Sequence, residues 1–306
     1  MSYSKKFLVT GSSGFVGKRF IDLLDTYNIN YSLLNRSTIG INNEFKWDME
    51  GEEFPKDSLL GIDIVVHIAG YAHDTRSKGE KEMIFNINYR ATKIIAEESL
   101  KAGVKKFIFI SSTKVSDNIS NDYCIDEATD RGTDGAYGIS KKKSEDYLLR
   151  LAKEADMQIC ILRPSLVYGP SVKGHLRQMI KAIEKKWFPP LPKIQNKISM
   201  VHVDDLANSI LHFSKRKDIS GEVFIITDGL NYNSRDIYEI IYSKVNGRLP
   251  QMYIPMWVFK LFGILFPFIG KKFTKLFSSN CYNSSKLLQF GFKPQKNFKQ
   301  FDEKIF

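Results

Sequence analysis

Tyr137 and Lys141 stand four residues apart in the stretch YGISK, at the head of a run that reads as a helix. At that spacing both side chains lie on one face. Such a pair can move a proton on and off an oxygen if the phenolate is made accessible. A free tyrosine ionises near pH 10, roughly three units too high for a base at neutral pH, so about 4 kcal/mol of differential stabilisation is required. An ammonium close by, in a site with little water, is a source of that order. Run in reverse, the same tyrosine is an acid. Alone, the pair is equally an ordinary helix start, and Lys142 and Lys143 after it read as a solvated face.

A second constellation lies near the N-terminus, in KKFLVTGSSGFVGKRF at residues 5–20. An apolar run meets Gly11, Gly14 and Gly17, and a helix-like stretch follows. Gly11 permits a tight turn, Gly14 lets backbone approach a pyrophosphate, and Gly17 lets helix and strand pack closely. A helix N-terminus then offers unpaired N–H groups to phosphates. In a strand–turn–helix setting this is a dinucleotide loop, with Ser13, Phe15 and Val16 in its wall. The residue closing the second strand selects the cofactor: an acid favours NAD, an arginine NADP. Here Asn35 and Arg36 stand there, which points to NADP, with NAD as the alternative.

The elements that must position these groups alternate. Candidate strands are Phe7–Thr10, Tyr31–Leu34, Ile64–Ile68, Lys106–Ser111, Gln158–Leu162 and Val223–Thr227, with helices at Val16–Tyr27, Ile84–Ala102 and Tyr137–Lys153. Continuous apolar strands separated by helices predict a parallel sheet covered on both faces, a doubly wound α/β (Rossmann) fold. The rhythm breaks after about residue 170. We expect residues 1–170 to form the cofactor-binding domain, with 200–230 returning to it. Residues 171–306 are expected to be mainly a smaller substrate-binding region. The apolar segment YIPMWVFKLFGILFPFIG, 253–270, contains Lys260, Pro255 and Pro267. It reads first as a buried or partly buried lid helix, second as an amphipathic membrane-contacting helix, and last as a bilayer span.

Composition bounds the rest. The 306 residues carry 45 Lys and Arg against 34 Asp and Glu, a net charge of +11. That reads as a solvated lysine-rich surface, or as an attraction for phosphates, nucleotides or an acidic membrane. The basic residues are spread along the chain, which argues against a nucleic-acid partner. Cys124, Cys160 and Cys281 are too few and too scattered for a disulfide framework or zinc site, and the five histidines lack metal-ligand spacing, so no metal is expected. The start MSYSKKFLVTG has no apolar signal region, and the expectation is a cytoplasmic enzyme.

TGSSGFVG resembles the nucleotide loop of the extended short-chain dehydrogenase/reductase family, the nucleotide-sugar epimerases, dehydratases and reductases. HIAG (67–70), NYRAT (88–92), FISST (109–113), YGISK (137–141), LRPSLVYGP (162–170) and VHVDDLA (201–207) follow in that family's order and spacing. YGPSVKG and SMVHVDDLANSI look most like the branch acting on amino-sugar nucleotides in bacterial surface polysaccharide synthesis. The resemblance implies catalytic roles for Ser112, Tyr137 and Lys141, with Thr113 as a neighbour able to assist on the substrate. It places Asp48 on the adenine amine, Asn88 in the helix behind the site, and Ala69, Gly70 and Pro164 along the cofactor. His67 and His202 fall in strand motifs and read as structural. His175 and Arg177 are candidate substrate contacts. So is Lys197, beside Ile198 where the family often has an arginine.

Thr113-Lys114 stands where dehydratases of the family carry an Asp-Glu pair, which argues against a 4,6-dehydratase. The first expectation is an NADPH-dependent reductase of the carbon-4 ketone of a UDP-linked 4-keto-6-deoxy amino sugar. The alternative is an NAD-dependent 4-epimerase of a UDP-sugar or a lipid-linked sugar, and a non-catalytic cofactor sensor comes last. The resemblance also implies a homodimer built on helices Ile84–Ala102 and Tyr137–Lys153, and the apolar segment adds a peripheral membrane contact as an expected partner.

Overall fold

The structure is a computed structural model that describes residues 5–37, 40, 43–49, 53–71, 77–116, 123–133 and 135–300. The chain opens with β1 (Phe7–Thr10), α1 (Phe15–Thr26), β2 (Tyr31–Asn35), β3 (Glu44–Lys46) and β4 (Ile64–His67). Then come α2 (Lys78–Phe85), α3 (Ala91–Lys101), β5 (Lys106–Ile110), α4 (Ala136–Glu154) and β6 (Gln158–Pro164). The second half runs through β7 (Leu166–Tyr168), α5 (Gly174–Glu184), β8 (Ile198–His202), α6 (Val203–Lys215) and β9 (Glu222–Ile226). It closes with β10 (Asn231–Tyr232), α7 (Ser234–Asn246), α8 (Met256–Leu265), α9 (Pro267–Phe277) and α10 (Ser285–Gln289).

Seven strands pair in the order β3-β2-β1-β4-β5-β6-β9, every neighbouring pair parallel. Alternate side chains feed two cores. Phe7, Val9, Ile64, Val66, Ile108 and Ile110 pack towards Phe20, Leu24, Leu206 and Ile210 of α1 and α6. Leu8, Val65, Phe107 and Phe109 pack towards Ile95 and Leu148 of α3 and α4 on the other face. Both faces are covered, so the strand interiors are mostly apolar, with buried Ser32 in β2 and Arg163 in β6 as exceptions. Strand order reverses between β1 and β4, and the carboxyl ends of the strands around that reversal are where a doubly wound sheet opens a crevice.

A second sheet, β10-β8-β7, supports a smaller core of Tyr168, Leu176, Met200, Tyr232, Tyr238 and Phe259. Of the expected return at 200–230, α6 and β9 lie with the large sheet, whereas β8 belongs to the small one. The helix expected over 84–102 is three pieces: α2, a π-helical turn at Asn86–Arg90, and α3. The 253–270 segment is two helices rather than one buried helix. The chain breaks at Phe266–Pro267, where proline at the first position of α9 cannot continue α8. Most of the outer face of α8 is exposed. Among the described residues no helix is long and apolar enough to cross a membrane.

The cysteines depart from expectation. Cys124 and Cys281, 157 residues apart, form a disulfide. The Ile125–Tyr282 bridge brings their segments together, with the Ile125 amide donating to the Cys281 carbonyl at 2.9 Å and the Asn283 amide to the Ile125 carbonyl at 2.7 Å. No spacing in the sequence encodes that meeting.

Candidate active site

The glycine turn between β1 and α1 is a cradle closed to any larger residue. Gly11 has φ +73°, and a Cβ on it would lie 2.7 Å from the Ala69 nitrogen. A Cβ on Gly17 would fall 2.1 Å from the Gly11 carbonyl oxygen, so the first turn of α1 rests directly on the loop. Gly14 caps the helix with extended backbone and no side-chain cap, which leaves the first N–H groups for a bound anion. Ser13 is exposed, while Phe15 and Val16, both half-buried, pack against the small core and the α1-side core respectively. This is a fit for a dinucleotide diphosphate in steric terms, and its residues would hold that group.

Beside it, β2 ends on Asn35, buried and fully engaged. Its amide oxygen accepts from Ser12 Oγ at 2.9 Å, and its Nδ2 donates to Glu44 Oε1 at 2.9 Å. The other Glu44 oxygen accepts from the Gly40 amide at 3.0 Å. A carboxylate therefore does stand at the end of the second strand, supplied sideways by β3. Sequence reading missed it because Glu44 lies nine residues beyond Asn35, on a three-residue strand with no pattern to mark it. Arg36 is exposed next to Asn35, and Asp48 lies half-buried two residues past β3.

A buried chain of hydrogen bonds links the cradle to the helices behind it. The Ala69 amide donates to Thr10 Oγ1 at 3.1 Å, and Thr10 Oγ1 lies 2.6 Å from His67 Nδ1. His67 Nε2 is 2.9 Å from Thr92 Oγ1, and Thr92 donates to the Asn88 carbonyl at 2.6 Å. Thr92 has spent its proton on that carbonyl, so His67 must donate from Nε2 and accept at Nδ1. Burial, seconded by the Lys141 charge, holds the imidazole pKa well below its usual value. His67 is a neutral structural ring.

Asn88 sits in the π-helical turn, and its side chain is consumed by protein. Oδ1 accepts from the Tyr71 amide at 2.7 Å, while Nδ2 reaches the Tyr71 carbonyl and Ser140 Oγ, each at 3.0 Å. Ser140 in turn donates to the Tyr137 carbonyl at 2.8 Å. Asn88, expected in the helix behind the site, joins the loop after β4 to the first turn of α4 through its amide. The extra residue in a π turn is what aims it there.

Tyr137, half-buried, starts α4, and Lys141 lies one turn on with 2% exposure. Lys141 Nζ donates to the Ile110 carbonyl at 2.9 Å and lies 4.4 Å above the Phe109 ring. Burial pulls its pKa down to about 7. A Cβ on Gly70 would sit 3.1 Å from this nitrogen, so Gly70 and Lys141 share one wall. Ser112 lies two residues past the end of β5 and is half-buried, its Oγ accepting from the Lys114 amide at 3.2 Å. Thr113 is buried beside it. Gly138 lets the start of α4 approach: a Cβ there would lie 2.5 Å from the Lys114 carbonyl. Pro164 is buried at the end of β6, paired with Ile226 of β9.

The remaining candidates stand in the second half of the chain. His175 and Arg177 are exposed on the first turn of α5, and Lys197 is exposed before β8 with its amide on Ser279 Oγ at 3.1 Å. Among the described residues no group of His, Cys, Asp or Glu is placed to hold a metal ion.

The model of the NAD dependent epimerase/dehydratase family matches residues 7–227. UDP-glucose 4-epimerase of Vibrio cholerae is 30% identical over 271 residues, 86% of this chain and 82% of the relative. The N-acetyl-alpha-D-glucosaminyl-diphospho-ditrans,octacis-undecaprenol 4-epimerase of Escherichia coli O157:H7 is 25% identical over 86% of this chain and 80% of its own length. Among solved structures, MoeE5 in complex with UDP-glucuronic acid and NAD superposes with a TM-score of 0.77 at 19% identity. That match covers 96% of this chain and 95% of MoeE5, a likeness of fold.

Proposed function

Because the chain belongs to the NAD-dependent epimerase/dehydratase family, we propose that it is a 4-epimerase of a sugar carried on a diphosphate. The carrier is UDP, with a polyprenol as the second carrier of the same chemistry. The observation that carries this reading is the Ser112, Tyr137 and Lys141 cluster beside the glycine cradle, in a chain whose two relatives above are both 4-epimerases. Reduction of a 4-keto sugar by NADPH, the first expectation from sequence, uses the same groups but has less support from those relatives. The Thr113-Lys114 step continues to argue against dehydration.

Bound in the glycine cradle, an oxidised nicotinamide would supply reversible hydride chemistry at carbon 4, so no net oxidant is consumed in an epimerisation. Tyr137 takes the proton from the carbon-4 hydroxyl and later gives it back. Lys141, buried one turn beyond Tyr137 with Glu145 supporting its charge, favours negative charge on the phenolic oxygen in this scheme. Ser112 donates to the reacting oxygen from just past the end of β5. His67 and Asn88 touch no reacting atom in this scheme; they fix the walls on which those groups stand.

Glu44 supports NAD over NADP. Its carboxylate at the end of β2 offers an acceptor near a ribose 2′-hydroxyl and repels a 2′-phosphate. The experiment is to denature the purified protein and identify what nicotinamide it releases. Stoichiometric NAD is expected, since a cycle that regenerates its cofactor has no need to release it. An empty protein that binds NADPH more tightly than NADH would contradict the reading.

A further inference from the structure

The basic residues of this chain are evenly distributed, but the acidic ones are not. From residue 240 to 301 there is no Asp or Glu, against ten Lys and Arg. Lys286 pairs with Glu222 at 2.6 Å and Lys296 with Asp204 at 2.8 Å, while Lys260, Lys271, Lys272 and Lys275 fall within the α8–α9 hairpin.

That hairpin is apolar on two sides. Its inner side is packed: Phe259, 5% exposed, lies edge-on to Phe273 and Phe277 with ring centroids 4.9 and 5.4 Å apart. The helices meet closely at Gly263 and Gly270, where a Cβ on Gly270 would fall 2.7 Å from the Gly263 oxygen. The outer side carries Trp257 at 66%, Ile264 at 76% and Leu265 at 62% exposure, together with Leu261, Phe262 and Phe266. Nine of the nineteen exposed large apolar side chains among the described residues fall between 249 and 266. Scattered single apolar residues need no explanation, whereas a contiguous patch of this kind marks an interaction surface.

The neighbouring loop extends the patch. The Ile254 amide donates to the Pro190 carbonyl at 3.2 Å, which places the 187–191 loop alongside. Trp187 on that loop is 81% exposed, with Lys185 Nζ 5.8 Å from its ring centroid, and Lys193 Nζ is 5.6 Å from the ring centroid of Tyr253. Lys260 and Lys275 are exposed on the hairpin itself. Apolar and indole side chains beside lysines, with no Asp or Glu in the hairpin's own stretch from 240 to 301, match the boundary between acyl chains and anionic headgroups. At ten residues α8 is about 15 Å long, too short to span and suited to lying in the plane.

We propose that the α8–α9 hairpin docks this protein on an anionic bilayer surface, with Trp257, Ile264 and Leu265 entering the acyl boundary and the lysines at the headgroups. The proposal does not rest on the epimerase reading, and its test needs no turnover.

The test uses the whole protein and vesicles of phosphatidylglycerol with phosphatidylcholine, against phosphatidylcholine alone. In a Trp187→Phe protein only Trp47 and Trp257 fluoresce, and Trp47 is 1% exposed. The protein is expected to float with anionic vesicles, its emission shifting to the blue and being quenched by brominated acyl chains. Ile264→Ser with Leu265→Ser, both on the exposed side, should reduce flotation roughly tenfold or more with unchanged far-ultraviolet dichroism. Lys260→Glu should weaken binding to anionic vesicles. Failure to float with them would overturn the proposal, as would flotation without bromolipid quenching, which is adsorption by charge alone. So would a dimer in solution that shields Trp257 and dissociates in the Ile264→Ser, Leu265→Ser protein, since a second copy would then be the occupant.

Discussion

Lys141 Nζ and the Ile110 carbonyl oxygen are 2.9 Å apart, and this one bond ties the helix that carries Tyr137 to the last residue of β5, two residues before Ser112. It comes at a cost to stability, because the amine is buried and its pKa is held down at about 7. The unfolded chain keeps that proton up to about pH 10.4. The destabilisation is therefore complete below pH 7 and fades as pH rises towards 10. Lys141→Met should abolish turnover yet raise the melting temperature of the cofactor-stripped protein at pH 7, with the gain shrinking by pH 10. Thermal unfolding at both pH values checks the sign; a lower melting temperature at pH 7 would mean that the bond to Ile110 outweighs burial.

Tyr137→Phe removes one oxygen from the first turn of α4 and leaves the Asn88–Ser140 clamp on its backbone in place. Turnover should fall by roughly a hundred- to ten-thousandfold, the range for loss of a general acid–base group. Cofactor affinity, measured by titration, should stay within about threefold, since the phenol acts on the substrate oxygen in this scheme. Retained activity would sink the assignment.

Glu44 and Arg36 make opposed predictions at the end of β2. Glu44→Ala should weaken NADH binding and improve NADPH binding, because it deletes an acceptor and a repulsive charge together. Arg36→Ala should weaken NADPH binding more than NADH binding. Paired titrations of the two variants give four affinities, and equal shifts for both cofactors in either variant would remove that residue from cofactor selection.

Gly17 and Gly79 separate a glycine required by packing from one that is not. A methyl at Gly17 would overlap the Gly11 carbonyl at 2.1 Å, whereas nothing lies within 4 Å of the equivalent position at Gly79. Gly17→Ala should cost about 1–3 kcal/mol and loosen the cofactor. Gly79→Ala, in helix α2, should stabilise by up to about 1 kcal/mol. Chemical denaturation of both, with cofactor titration of the first, tests the contrast.

Six strands of the large sheet were legible because they are buried on both faces and so read as short apolar runs; Phe7–Thr10 matches residue for residue, the other five differ by a residue or two at their ends, and the three-residue edge strand β3 was missed. The small sheet was not, since β7 and β10 are two or three residues long and β8 pairs with both across more than thirty positions. The Tyr137 and Lys141 pair was legible because four residues on a helix is a local relation. Glu44 against Asn35, the π turn that aims Asn88, and Cys124 against Cys281 are all set by long-range packing, which leaves no period in the sequence. The segment 253–270 misled because its uniform apolarity suggested burial, whereas the break at Pro267 folds it into a hairpin with one side out.

Epimerisation is read directly with UDP-N-acetylglucosamine deuterated at carbon 4, and its undecaprenyl diphosphate counterpart, with no reductant added. The carbon-4 epimer is expected to accumulate over many turnovers per bound cofactor, with deuterium retained at carbon 4 by NMR. If neither substrate epimerises, while a 4-keto sugar is reduced with consumption of NADPH, the chain is a reductase and not an epimerase.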